Sequence, residues 1–243
     1  MNTYPKLSKP PIVEAVFDIR CRLPKDCGPD VLKKVAAALQ ADYPTLRKQV
    51  IHTQQIKFQA GKREMTATDA LQGYRVEKED KTQIVQLLHD RFTLNRLRPY
   101  TSFDQLWPEV LRCWQVYAEA TKPTEIARLA LRTINRIELE AGISQLEEAF
   151  QISLETPVRG LEQSGFLHRW SLLGQHDCRA NVALATRPPV EAKLTIIFDI
   201  DVFKTVDLDL EIDSLVRSFG QLRELKNAIF FGSLSKVQLK KYE

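Results

Sequence analysis

The chain has 243 residues, of which 44% are hydrophobic and 27% are charged, an ordinary composition for a globular protein with a buried core. Its nine glycines are few for a fold built on phosphate-binding loops. The formal net charge of +4 permits contacts with nucleic acid or acidic proteins without requiring them. No apolar run is long enough to span a bilayer and the N-terminus lacks a secretory signal pattern, so we expect a cytoplasmic protein.

The cysteines and the familiar catalytic motifs give little sign of chemistry. Cys21, Cys27, Cys113 and Cys178 form no Cys-x-x-Cys pair, which predicts reduced thiols rather than disulfides or a zinc site. The chain contains no Gly-x-Ser-x-Gly, P-loop, dinucleotide-binding or His-Glu-x-x-His motif. The sequence therefore favours a non-enzyme and predicts no catalytic residue, cofactor or metal.

The first half of the chain, residues 1–122, predicts the element order β-α-β-β-β-α. The predicted elements are a strand over Ile12–Cys21, a helix from Pro29 to about Tyr43, and strands over Gln54–Ala60, Tyr74–Lys78 and Gln83–Leu94. The polar stretch from Arg63 to Gly73 is predicted to be a connection. Ser102 and Gln105 form a capping box at the start of a long helix with a broad apolar stripe.

The second half, residues 123–243, repeats this order. We predict a strand over Ala127–Leu139, a short helix over Ser144–Phe150, strands over Phe166–Leu173, Arg179–Thr186 and Ala192–Phe203, and a helix over Asp209–Leu225. The β-branched and aromatic run Ile229–Phe231 suggests a closing strand.

The repeated order indicates an α+β fold with a tandem duplication, in which the two halves form one integrated globular unit. We predict curved antiparallel sheets that grip the long helices, the helix-grip arrangement of proteins that resemble the TATA-binding protein. Open sheet edges in such a fold favour pairing between copies, so a homodimer is expected.

Arginines at even spacing on one predicted strand are candidates for a binding surface. Arg128, Arg132 and Arg136 share one face of that strand. In one interpretation they form a basic row that binds phosphates or an acidic partner. For nucleic acid the same interpretation adds three further arginines, Arg91, Arg96 and Arg98.

In the other interpretation, which we favour, the arginine row is one side of a cross-strand ion-pair ladder. Glu14 and Asp18 occupy the equivalent places on the first strand of the other half. If the two first strands are neighbours, these carboxylates pair with the arginines.

Polar residues elsewhere on these strands have simpler expected roles. Asn135 lies on the face opposite the arginines, where a buried Asn that ties backbone groups together is expected. Asp199 and Asp201 share one face of a later strand. Their oxygens would suit Mg²⁺ or Ca²⁺, but a turn and the N-terminus of the following helix explain this acidic stretch more simply.

Four blocks of the sequence resemble those of a known prokaryotic family. They are Leu7-x-x-Pro10-Pro11-Ile12-Val13-Glu14-Ala15-Val16, Tyr100-x-x-Phe103-Asp104-x-Leu106-Trp107, Arg128-Leu129-Ala130-Leu131-Arg132-Thr133-Ile134-Asn135-Arg136-Ile137 and Phe198-Asp199-Ile200-Asp201. In order and spacing they resemble an uncharacterised family of about this length, with a sporadic distribution among genomes. The resemblance covers nearly the whole chain. Where that family has Arg-Tyr-Ile-Asn, this chain has Arg132-Thr133-Ile134-Asn135, without the aromatic side chain.

The resemblance implies no reaction, because no activity is established for that family. Its patchy distribution suggests genes of phage defence or toxin–antitoxin pairs. We therefore expect a non-catalytic binding protein that recognises a protein partner, as the sensor or antitoxin-like member of such a pair. Two alternatives stay open: a nucleic-acid-binding protein that uses a basic sheet face, and a protein that holds a small ligand in a cavity between helices and sheet.

Overall fold

The fold was obtained as a computed structural model, which describes residues 4–59, 62–139, 146–151, 165–190, 193–206 and 208–243. In chain order the elements are β1 (Ile12–Arg22), α1 (Pro29–Ala38), β2 (Thr45–Gln59), β3 (Lys62–Glu77), β4 (Gln83–Leu88), β5 (Arg91–Leu97), α2 (Phe103–Thr121), β6 (Glu125–Leu139), α3 (Leu146–Ala149), β7 (Leu167–Leu173), β8 (Arg179–Val190), β9 (Lys193–Lys204), α4 (Ile212–Ser233) and α5 (Lys236–Lys240). The predicted element ends at Ala60, Ser144 and Ala192 lie outside the described residues.

The architecture is α+β with a large antiparallel sheet, as the sequence predicts. The tandem duplication, its boundary at residue 122 and the helix-grip arrangement stay predictions. No helix within the described ranges is both long and apolar enough to cross a membrane.

The chain divides into two compact units. The first unit comprises Met1–Asp18, Arg96–Tyr100 and Ala127–Glu243, and the second comprises Ile19–Asn95 and Thr101–Ile126. Each unit contains sheet strands and helices, and each is described separately below.

The first unit is built on strands in the order β1-β6-β9-β8-β7. β6 pairs antiparallel with β9, so that Asn135 lies opposite Phe198. Alternate residues of β6 are buried and form the inner face of the sheet, as expected for a strand with one covered side. Helix α4 covers this face, with ring centroids 6.0 Å apart for Phe219 and Phe17 and 6.3 Å apart for Phe230 and Phe198.

The prediction of a closing strand over Ile229–Phe231 is wrong, because these residues belong to α4. Their β-branched and aromatic side chains favour a strand locally, but Ile229 and Phe230 are buried about two turns beyond Leu222 on the helix. Packing of this helical stripe outweighs the local strand preference.

The second unit contains strands in the order β2-β3-β4-β5 and the helices α1 and α2. The Ser102 hydroxyl accepts a hydrogen bond from the Gln105 backbone N–H at 3.2 Å, which confirms the predicted start of α2. The Phe92 ring lies 5.8 Å from both Trp114 and Tyr117, so the aromatic stripe of α2 is core.

Two further strand predictions in the second unit are corrected. The predicted strand over Gln83–Leu94 is two strands, β4 and β5, separated by a turn at residues 89–90. The predicted connection from Arg63 to Gly73 belongs to β3. The polar composition of this segment gives no strand pattern, because this part of β3 has no buried face among its described side chains.

A polar cluster joins the turn that follows α1 to helix α2 in the second unit. The Tyr43 hydroxyl donates to Glu109 Oε1 at 2.8 Å, and Arg112 donates to both oxygens of the same carboxylate at 2.8 and 2.9 Å. Arg112 also pairs with Asp42 at 2.9 Å. Burial opposes the charge on Glu109, but the hydrogen bonds from Arg112 and Tyr43 outweigh it and lower the pKa of this carboxyl.

Replacing Tyr43 with Phe removes the buried hydroxyl and leaves Glu109 without one of its donors. We expect the free energy of unfolding to fall by about 1–2 kcal/mol in urea denaturation. Tyr74→Phe is the matched control, since Tyr74 is also buried but its hydroxyl has no hydrogen bond to any described residue. Equal losses in the two variants would contradict a stabilising role for the cluster.

Candidate functional site

The arginine row lies on the outer face of β6 in the first unit. Arg128 is half-buried, and Arg132 and Arg136 are exposed, while the intervening odd-numbered residues point to the core. β1 is the neighbour of β6 in the strand order, which is the condition that the ion-pair interpretation required.

Arg128 bridges two neighbouring strands. Its Nη1 donates to Asp18 Oδ1 of β1 at 3.1 Å, and its Nη2 donates to Asp201 Oδ2 of β9 at 2.7 Å. The side chains of Arg128 and Asp18 are only 16% and 11% exposed, so this triad is largely desolvated. The guanidinium also lies 4.7 Å from the centroid of the Phe203 ring. The Arg128 head group is therefore held within the sheet by two carboxylates and one aromatic ring.

The other two arginines are also paired. Arg132 makes a two-pronged contact with Asp199, from Nε to Oδ1 at 2.8 Å and from Nη2 to Oδ2 at 2.5 Å. The hydrogen bonds that Arg132 donates to Asp199 raise the pKa of Arg132 although burial opposes this, and the charges of Asp199, Asp201 and Glu14 also contribute to the rise. Arg136 pairs with Glu138 at 2.9 Å.

The arginine row is thus one side of an ion-pair ladder. The expected pairing of Asp18 with Arg128 is confirmed. The predicted strand position of Asp199 and Asp201 is confirmed, since both lie on β9. The simpler explanation from sequence, by a turn and a helix N-terminus, does not apply to these two residues, because they are the main partners of the row. The strand register brings these groups together. Arg132 lies directly opposite Asp201 on β9 and reaches diagonally to Asp199, two residues earlier on that strand.

Burial of Asp201 is not fully compensated. Desolvation raises the pKa of this carboxyl, and the charges of Arg128 and Arg132 offset that rise only in part. A carboxylate in this position depends on its arginine neighbours to remain charged. Removal of one arginine from the ladder would therefore leave a buried carboxylate without a compensating charge and would destabilise the folded state.

Asn135 ties backbone groups together on the inner face, as the sequence predicts. It is fully buried, and its Nδ2 donates to the Phe198 carbonyl at 2.9 Å and to the Thr133 carbonyl at 3.4 Å. Its Oδ1, and the hydroxyl oxygen of Thr133, have no hydrogen-bond partner in the described part of the chain. The tie between β6 and β9 thus leaves two buried oxygens unpartnered.

Arg91, Arg96 and Arg98 do not extend the row. Arg91 and Arg96 are five residues apart on β5, so their side chains point to opposite faces of that strand. Arg96 Nε donates to the Pro99 carbonyl at 3.0 Å, and Arg98 is exposed beyond the end of the strand. The structure therefore gives no single basic face made of these three side chains.

The structure shows no activated nucleophile among the thiols it characterises. All four cysteines are free, and burial is the main cause that raises the pKa of Cys113, to about 12. Burial likewise raises the pKa of Cys178 and of Cys27. These thiols stay protonated at neutral pH. The described residues contain no group of three or more His, Cys, Asp or Glu side chains able to hold a metal ion.

A second candidate surface, which the sequence did not reveal, is the outer part of the β2–β3 hairpin. The two strands pair continuously from Val50 opposite Leu71 to Gln59 opposite Lys62. β4 pairs with β3 only over Gly73–Glu77. We call Val50–Gln59 and Lys62–Leu71 the arm, since within the described residues these segments pair only with each other.

The base of the arm is marked by an irregular register and a glycine. Gln49 lies opposite Gly73 but Val50 lies opposite Leu71, so one residue of β3 is left over, which bends the ribbon. At Gly73 the φ angle is +155°, and an added Cβ would lie 2.0 Å from the Leu87 carbonyl oxygen. Only glycine permits this close approach where β3 leaves β4.

The arm has two faces, and we call the one that carries Ile56 and Met65 the apolar face. The opposite face carries Thr53 and Thr68, together with Ile51, which is 50% exposed. Ile56 lies opposite Met65 on one face, and these side chains are 45% and 57% exposed. Thr53 lies opposite Thr68 on the other face. On the apolar face, His52 Nδ1 and Asp69 Oδ1 form a hydrogen bond of 2.5 Å.

A ribbon of two strands is only marginally stable without a third strand or a covering layer. A ribbon that also exposes apolar side chains therefore stands to gain stability from a partner that covers it. The threonines and β-branched residues of the arm are the sequence signal that could have revealed the hairpin.

Comparisons with protein-family models, with curated proteins and with solved structures find no match to this chain. The four blocks quoted above therefore stay the sole basis of the family resemblance, and the function must be argued from the two surfaces.

Replacing Arg128 with Gln removes the charge between Asp18 and Asp201. We expect the free energy of unfolding to fall by about 3 kcal/mol, because two poorly solvated carboxylates are left facing each other. Arg136→Gln is the control, and it should cost less than about 1 kcal/mol because the Arg136–Glu138 pair is exposed. Urea denaturation measures both, and similar losses in the two variants would contradict the assignment.

The loss in the Arg128→Gln variant should shrink on acidification. Without the arginine, the burial of Asp201 is opposed less, and its folded-state pKa is expected to rise further above its unfolded value. The deficit should therefore be full above this raised pKa and should shrink as pH falls from it towards the unfolded pKa of the carboxyl. A deficit that is constant between neutral and acidic pH would exclude this explanation.

Proposed function

We propose that this chain is a non-catalytic binding protein that recognises a protein partner through the apolar face of the arm. The observation that carries the proposal is the exposure of this face, at Ile56 and Met65, on a ribbon that lacks a third strand among the described residues. Exposed apolar surface of this kind is typical of protein–protein contacts.

The chemistry of the arm indicates the kind of partner it fits. The outer edges of its two strands present backbone N–H and C=O groups that a third strand could pair with. A partner segment in extended conformation, with apolar side chains at alternate positions, would satisfy these groups and cover the apolar face at the same time. We therefore infer a partner protein that adds a strand to the arm.

The ion-pair ladder argues against the alternative of a nucleic-acid surface. The three arginines contact four carboxylates, those of Asp18, Asp199, Asp201 and Glu138. Phosphate binding needs cationic groups that are free to replace counterions. In the ladder each guanidinium already has a carboxylate partner, so the row is a poor phosphate site.

The family resemblance adds a biological setting to the proposal. A sporadically distributed family suggests that the partner is the product of a neighbouring gene, in a phage-defence or toxin–antitoxin pair in which this chain is the sensor or antitoxin-like member. Such a partner would form a stable complex with this chain and would not be a substrate that is converted and released.

The proposal is tested by charging one face of the arm at a time. The tagged protein is used to capture partners from its host with nuclease present and at about 1 M salt, where exposed charge contacts are screened. The captured protein is then purified and titrated against Ile56→Lys/Met65→Lys. We expect at least about a tenfold loss of affinity, or ~1.4 kcal/mol, because the charges would be buried against the partner.

The matched control is Thr53→Lys/Thr68→Lys, which adds the same charges to the opposite face. This variant should bind like the original protein, and thermal melting should show that both variants fold. If Ile56→Lys/Met65→Lys binds the partner as tightly as Thr53→Lys/Thr68→Lys does, the apolar face of the arm is excluded as the docking surface. Capture that is lost on nuclease treatment would favour nucleic acid, and capture of only the chain itself would favour a homodimer.

A further inference from the structure

Strand β7 forms one edge of the first unit's sheet. It follows β8 at the end of the strand order, and within the described residues no strand lies beyond it. Proteins usually protect such an edge with lysines, a proline or a β-bulge. β7 has none of these, since its register with β8 runs without a shift and Arg169 is its one permanently charged side chain. The edge is therefore open to a further strand.

The pairing of β7 with β8 decides which backbone groups point to the open edge. The Thr186 N–H donates to the Phe166 carbonyl at 3.1 Å, and the Gly174 N–H donates to the Cys178 carbonyl at 2.7 Å. In an antiparallel ladder, residues bonded to the neighbouring strand alternate with residues whose N–H and C=O point away from it. The even-numbered residues of β7 are thus bonded to β8. The odd-numbered residues direct their backbone groups to the open edge, and they are Leu167, Arg169, Ser171 and Leu173.

The same odd-numbered residues carry an apolar side chain at each end of the strand. Leu167 is 57% exposed and Leu173 is 83% exposed. Between them, Arg169 is exposed and the Ser171 hydroxyl donates to Asn181 Oδ1 of β8 at 3.1 Å. The edge therefore has leucine, two polar residues and leucine in order, a pattern that is nearly the same when the strand is read in reverse.

We propose that two copies of this chain pair edge to edge through β7, antiparallel and related by a two-fold axis at Trp170. A two-fold interface requires a surface that is complementary to itself. In this register Leu167 lies opposite Leu173 of the second copy, and Arg169 lies opposite Ser171 of the second copy. Each of these pairs exchanges both of its backbone hydrogen bonds. The exposed leucines cover each other at both ends of the paired segment.

Charge and length favour this register over its neighbours, in which odd-numbered residues also face one another. An axis at Arg169 would place two guanidinium groups directly opposite each other, which is unfavourable. An axis at Ser171 would place Leu173 opposite Arg169 and leave Leu167 beyond the paired segment. The axis at Trp170 matches the strand over its full length. This interface belongs to the first unit and the arm to the second, so it does not depend on the proposed partner.

The proposal is tested with two double variants that differ in the sign of one charge. Leu167→Lys/Leu173→Lys places lysine opposite lysine at both ends of the interface, whereas Leu167→Lys/Leu173→Glu places lysine opposite glutamate. In sedimentation equilibrium over a concentration series, the original chain and the Lys/Glu variant should reach twice the chain mass of 27.9 kDa. The Lys/Lys variant should have a dimer dissociation constant at least about tenfold higher. Both leucines are exposed, so thermal melting should show that both variants fold.

The register is tested by disulfide trapping. Trp170→Cys places two thiols across the axis, where opposed Cα atoms are about 4.5 Å apart, within reach of a disulfide. Leu172→Cys is the matched control on the same strand, because its two copies lie four residues apart along the paired strands, or roughly 13 Å. Oxidation should therefore crosslink the first variant and not the second, with the original chain as the blank.

The outcomes decide the proposal as follows. An original chain that stays monomeric at every concentration overturns it, and so does a Lys/Lys variant that dimerises as tightly as the Lys/Glu variant. Failure of Trp170→Cys to crosslink better than Leu172→Cys overturns the register. Dimerisation of the original chain and the Lys/Glu variant, weakened in the Lys/Lys variant and trapped at residue 170, supports the β7 interface.

Discussion

The bridge that Arg128 makes between Asp18 and Asp201 ties three strands of the first unit together on the outer face of the sheet. On the inner face, the side chain of Asn135 on β6 donates a hydrogen bond to the Phe198 carbonyl of β9. Pairing on both faces leaves little freedom in register, because a slip of one residue would bury the arginines and expose the apolar face. The covering of this sheet by α4 depends on that register.

The same ion pairs make the arginine row, the most conspicuous candidate site in the sequence, a poor binding surface. A row of three arginines attracts attention as a phosphate site, but each one is already paired with a carboxylate. The arm presents the opposite situation. Its apolar side chains lack cover in the described structure, and its strands lack further partners. Unsatisfied apolar surface and backbone groups are the features that a binding partner can supply.

Sequence reasoning succeeded where one covered face produced a clear period. The alternation of β6, the stripe of α2 and the relation of Asp18 to Arg128 follow from such periods. It failed where tertiary contacts decide. The predicted strand position of Asp199 is correct, but no local signal identifies it as the partner of Arg132, because the pairing depends on which strands are neighbours. Of the arm, a strand over Gln54–Ala60 was predicted but its partner in β3 was missed, because polar and apolar side chains are mixed on both exposed faces and leave no clear hydrophobic period.

The measurement that tests the account most directly is hydrogen–deuterium exchange on the whole chain, alone and with its captured partner. The account predicts slower exchange over Val50–Leu71 on binding, because backbone groups of the arm gain hydrogen bonds and cover. It also predicts unchanged exchange over Arg128–Arg136, where the ladder is complete before any partner binds. Protection of Arg128–Arg136 and of the β9 strand, with the arm unaffected, would contradict the account and return the arginine row to the centre of the function.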